Sequence, residues 1–174
     1  MFPETFYETT ATISFTLLGL WWIALQAKYN EWIADPLRRR MITIITLYFL
    51  LPGSMSLLAL LAIENRALWR IAFVVFCLVG VFATGLLAAD ARKATGKARE
   101  NPTSWNWRVM RWSCWIGVAL YVLVAVVALG ATTLADAGIE PLIAAGVLVT
   151  LLVILGLVLA WTYYVEPPAT PVAQ

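Results

Sequence analysis

Five apolar runs dominate the chain, at residues 8–27, 41–63, 68–89, 112–130 and 142–164. Each is close to the ~20 residues that an α-helix needs to cross a hydrocarbon core of about 30 Å. Hydrocarbon supplies no hydrogen-bond partners, so a spanning segment must satisfy its backbone internally, and runs of this length do so as helices. Of the 174 residues, 62% are hydrophobic and only 13% charged, far from the composition of a soluble domain. The expected fold class is therefore all-α: a polytopic membrane protein with five transmembrane helices in a single domain over residues 1–165. Residues 166–174, with Pro167, Pro168 and Pro171, read as a flexible tail.

The loops predict an orientation. Lys28, Arg38, Arg39 and Arg40 fall in the first loop, and Arg92, Lys93, Lys97, Arg99, Arg108 and Arg111 in the third. By the positive-inside rule these loops are cytoplasmic, the N-terminus is outside and the tail inside, as in a bacterial inner or plasma membrane. Aromatic residues support the same arrangement. Trp32, Trp105, Trp107, Trp112, Trp115, Trp161, Tyr163 and Tyr164 map to the inner interface, and Phe2, Phe6, Tyr7 and Trp69 to the outer one. Asp90 to Glu100 is expected to prolong the third helix into the cytoplasm until Asn101-Pro102 stops it.

Several functions are disfavoured by what the chain lacks. There is no histidine, the commonest general base and transition-metal ligand. No HExxH, GxSxG, P-loop or dinucleotide fingerprint occurs. The sequence thus points to no enzyme, no metal site and no cofactor. Its basic residues sit in short loops between apolar runs, which disfavours nucleic acid as a partner. Cys77 and Cys114 fall at opposite depths and are expected to stay unpaired, as small packing residues. No basic residue precedes Lys28, so the first helix is expected to be retained rather than cleaved as a signal.

The first helix is the chemically distinctive one. Thr5, Thr9, Thr12, Thr16, Gly19, Ile23 and Gln26 alternate at spacings of four and three and share one helical face. Ile13, Phe15, Leu17, Leu18, Leu20, Trp21 and Leu25 make the greasy remainder. Hydroxyls in a membrane need protein or water as partners. One reading has the stripe line a water-filled path in an oligomer, with Glu4 and Glu8 near the outer mouth and Thr9, Thr12, Thr16 and Gln26 offering oxygens along it. The other has the threonines bond to their own backbone or to neighbouring helices, and Glu8 pair with Arg66 or Arg70.

Other features carry two readings as well. Pro52 and Gly53 in the second helix predict a kink, either static or a hinge, with Thr43, Thr46, Ser54 or Ser56 covering the freed carbonyl. Arg66 and Arg70, four apart at the outer level, suit an outer ion pair or an anion site. Arg38, Arg39, Arg40, Arg92, Lys93, Lys97 and Arg99 suit contact with anionic lipid on the inner leaflet. Gly80, Thr84 and Ala88 in the third helix, and Gly146, Thr150 and Gly156 in the fifth, mark close helix packing.

The leading expectation is an oligomeric membrane channel, cation-selective, with the polar face of the first helix lining the ion path. Its partners are the lipid bilayer and further copies of the same chain. The alternatives are a non-conducting accessory or scaffold subunit that binds an integral membrane partner through the stripe, and a small transporter.

Overall fold

The computed structural model of the protein describes residues 2–32, 36–61, 66–98, 105–136, 138 and 140–165. Six helices account for nearly all of them: α1 (Phe2–Trp32), α2 (Pro36–Leu61), α3 (Arg66–Ala98), α4 (Trp105–Leu129), α5 (Ala131–Asp136) and α6 (Pro141–Val165). Five of them are long and apolar enough to cross a membrane, at Glu4–Ala27, Arg39–Leu61, Ala67–Ala89, Trp112–Leu129 and Pro141–Val165. The segment 166–174 lies outside the described residues.

The helix boundaries follow from local chemistry. α4 ends at Gly130, whose N–H still reaches the Val126 carbonyl at 2.8 Å, and the chain passes directly into α5. Six residues are too few to show a helical period, so the sequence pattern does not mark this short helix. Gly138, at φ 75°, turns the chain back. Pro141 then opens α6 at the first helical position, where its missing N–H is not needed. The carbonyl of Glu140 accepts from Ile143 and Ala144 and closes that first turn. α3 runs past its membrane span to Ala98, so the third helix does extend beyond the apolar run.

α2 and α6 pack on each other at the middle of the bundle. α1 lies against both of them on one side, while on the other α3 packs on α2 and α4, and α4 packs on α6. α1 touches neither α3 nor α4 among the described residues. Lipid is as apolar as leucine, so such contacts hold by close fit and hydrogen bonds rather than by escape from water.

Close fit is made by glycine. A Cβ on Gly80 of α3 would stand 2.6 Å from the Tyr121 ring of α4, and one on Gly156 of α6 would stand 2.8 Å from Tyr48 Cβ of α2. Gly146 of α6 faces Phe6 and Tyr7 of α1 in the same way, and Gly53 of α2 meets Ser14 Cβ at 3.1 Å. The spacing of small residues thus marks real helix crossings. Two hydrogen bonds add direction to the α1 packing. Tyr7 Oη donates to the Leu142 carbonyl of α6 at 2.6 Å, and Trp21 Nε1 donates to Thr46 Oγ1 of α2 at 3.2 Å.

Candidate functional site

α1 has two faces of comparable length. Tyr7, Thr10, Ala11, Ser14 and Trp21 are buried against α2 and α6. On the opposite side Thr5, Thr9, Thr12, Thr16, Gly19, Ile23 and Gln26 are all exposed, and so are Glu4 and Glu8. The stripe is thus a continuous outer surface of the bundle, and the neighbours do not shelter it. The assignment of a greasy remainder to lipid or to a neighbour divides accordingly: Trp21 goes inward, whereas Ile13, Phe15 and Leu20 flank the stripe outside.

Helical hydrogen bonding explains how hydroxyls reach that surface at low cost. Thr9 Oγ1 donates to the Thr5 carbonyl at 2.7 Å, Thr12 to Glu8 at 2.9 Å and Thr16 to Thr12 at 2.8 Å. Each hydroxyl proton is used one turn back along the same helix. The oxygen lone pairs remain directed outward and can still accept from a donor or contact a cation. Gly19 has no atom within 4 Å of its Cβ position, so the surface carries a notch at the end of the threonines.

The rest of the perimeter is different. On α3 the exposed residues Ile71, Val75, Leu78, Val79, Phe82 and Leu86 are apolar. From Ile116 to Leu129 on α4, and from Ile143 to Val158 on α6, every exposed residue is apolar too. Those faces suit acyl chains, and the α1 face contrasts with them.

The remaining sequence-marked residues are dispersed. Pro52 and Gly53 are buried, and α2 continues helically through them. Proline withholds the N–H that the Tyr48 carbonyl would otherwise receive. The expected cover by nearby hydroxyls is not formed by Thr43 or Thr46, which bond to the Arg39 and Ile42 carbonyls, nor by Ser56, whose Oγ is buried without a partner. The expected pairing of Glu8 with Arg70 is not formed either, because α2 stands between α1 and α3. The Arg70 guanidinium lies 6.0 Å from the Trp69 ring centroid instead. Arg39 and Arg40 are exposed at the start of α2. The side chains of Arg38, Arg66, Arg92, Lys93 and Lys97, and all of Arg99, lie outside the described residues.

Some polar positions escaped the pattern reading. Tyr7 and Trp69, expected as interface anchors, are core residues. Tyr48 and Tyr121 meet at the bundle centre, and both Oη atoms are buried without a protein partner. No periodicity marks them, since a lone tyrosine in an apolar run resembles any large packing residue. Both cysteines are buried and free.

Fold and surface together define an all-helical bundle with five helices long and apolar enough to span a membrane and, among the described residues, a polar stripe on the outer face of α1. Comparison with protein-family models, curated proteins and solved structures finds no match for the chain.

Proposed function

We propose that the protein is an oligomeric membrane channel in which the α1 faces of several copies surround a shared ion path that favours cations. The observation that supports this is the α1 outer face itself, a row of oxygen-bearing and small residues that contrasts with the apolar exposed residues of α3, α4 and α6 at 71–86, 116–129 and 143–158. Symmetry brings like faces together around an axis, so the helix contributed by each copy would be α1. The bundle interior is filled by aromatic and aliphatic side chains, which leaves the space between copies for a path. With Glu4 and Glu8 outside and the basic loops cytoplasmic, carboxylates would ring the outer mouth and threonine oxygens would follow below it.

Reconstitution of the purified protein into liposomes tests the reading. Ion flux above that of empty liposomes is expected, and Glu8→Gln should lower cation over anion permeability in planar bilayers. A Thr12→Cys variant should crosslink between copies under oxidation. Absence of flux, with no crosslink, would refute the proposal.

One observation favours a second reading. The threonine hydroxyls are already bonded within α1 and Gly19 is open, which makes a shallow seam suited to the close approach of another helix. A non-conducting subunit would use that seam for an integral membrane partner. No flux together with a co-purifying membrane protein, lost when Gly19 is changed to Leu, would select this reading.

A further inference from the structure

The pair of phenols at the bundle centre lies inside one subunit and is independent of the α1 surface. Tyr48 of α2 and Tyr121 of α4 are 0% and 1% exposed. Their rings lie nearly parallel, 16° apart, with centroids separated by 6.0 Å. Neither hydroxyl has a hydrogen-bond partner in the protein. A buried hydroxyl with nothing to bond is among the costlier features a core can contain. Phenylalanine would supply the same ring without that cost, yet tyrosine stands at both positions.

The surroundings are cut to admit these hydroxyl ends. Tyr48 Oη lies over Gly117 of α4, so closely that a Cβ there would be 1.6 Å away. The Tyr121 ring lies against Gly80 of α3, which a Cβ would approach to 2.6 Å at both Cε1 and Cζ. Thr84, buried one turn beyond Gly80, donates to the Gly80 carbonyl at 2.6 Å and keeps its lone pairs as acceptors. On α2, Pro52 removes the helical donor of the Tyr48 carbonyl. The Tyr48 hydroxyl and the Tyr121 ring are therefore buried against glycines of α4 and α3, and neither hydroxyl bonds to the protein.

Water is the ligand whose chemistry fits such hydroxyls. It donates and accepts in any combination, and buried waters in proteins characteristically satisfy two to four otherwise unpaired groups. We propose that the Tyr48 and Tyr121 hydroxyls form an internal hydration site, holding ordered water at the junction of α2, α3 and α4 in the apolar middle of the bundle.

Solid-state NMR on the full chain in bilayers tests this through polarisation transfer from water to ring carbons of labelled tyrosine and phenylalanine. Assignment comes from the Tyr48→Phe and Tyr121→Phe spectra. Transfer to Cζ of Tyr48 and of Tyr121 is expected to build up nearly as fast as at exposed Tyr29, and well ahead of buried Phe49 and Phe73. Each Tyr→Phe variant is expected to melt lower than the unaltered protein, by about 3 °C. Build-up at the phenylalanine rate at either tyrosine overturns the proposal. So does a Tyr→Phe variant that melts at or above the unaltered protein, the result for a hydroxyl that bonds nothing. The transfer measurement needs only the unaltered protein, so it decides even where a variant fails to fold.

Discussion

Replacing Gly117 by alanine tests the idea that glycine sets the helix spacing here. The added methyl would stand 1.6 Å from Tyr48 Oη and 2.7 Å from Cζ, against the 3.5–4.0 Å of an ordinary non-bonded contact. Tyr48 has no direction of retreat. Its Cβ already abuts Gly156 of α6, and its ring is stacked on Tyr121. The α4 helix must therefore shift, and overpacking of this kind costs about 1–3 kcal/mol, with the upper end expected where the neighbour is pinned. Alanine returns up to about 1 kcal/mol through its better helix propensity. The net loss is about 2 kcal/mol, which lowers Tm by about 4–8 °C in a chain of this size. Thermal unfolding in mild detergent, read by a thiol-reactive dye, suits the question because Cys77 and Cys114 are buried and free until the bundle opens. Adding Tyr48→Phe to Gly117→Ala removes the nearest atom but leaves a ring carbon at 2.7 Å, so the double variant should recover part of the loss and not all of it. Gly85→Ala is the control: nothing lies within 4 Å of its Cβ position, and stability should hold or rise slightly. The reasoning fails if Gly117→Ala melts with or above Gly85→Ala, or if Tyr48→Phe brings no recovery.

Tyr7→Phe deletes the donor to the Leu142 carbonyl, and the loss of about 1 kcal/mol expected for one such bond should appear in the same melt, with α1 the first helix to gain amide exchange. No loss of stability, or exchange that begins elsewhere, would count against α1 being tied to α6 at this point. Gly146→Ala should be milder than Gly117→Ala, because the atom it meets at 2.6 Å belongs to Phe6, which is partly exposed and can swing outward. Comparable losses at the two sites would contradict that ranking.

How much of the site was legible depends on the kind of signal. The α1 stripe was readable because threonine spacing at four and three survives any packing arrangement, and all seven of its positions do share one face. Its direction was not readable. The sequence argument left the hydroxyls to line a water-filled path, to bond to their own backbone or to meet neighbouring helices; Thr9, Thr12 and Thr16 bond one turn back on their own helix and face out of the bundle. The Glu8 to Arg70 pairing failed for a related reason: residues at the same depth share a layer, but depth does not say which helices are adjacent. Tyr7 shows the limit for aromatic anchors, because a tyrosine at a helix end fits an interface and a core equally well until the Leu142 carbonyl is placed beside it.

Sequence alone was sufficient for the five apolar helices and for the residues that share the α1 stripe, because helix length and side-chain direction are local consequences of backbone satisfaction and helical period. Which helices touch is not local. The placement of α2 and α6 at the centre, the outward turn of the α1 stripe and the meeting of Tyr48 with Tyr121 all came from tertiary structure. Glycines far apart in the chain permit particular close approaches, and only their combined fit selects one arrangement of helices whose apolar surfaces are otherwise interchangeable.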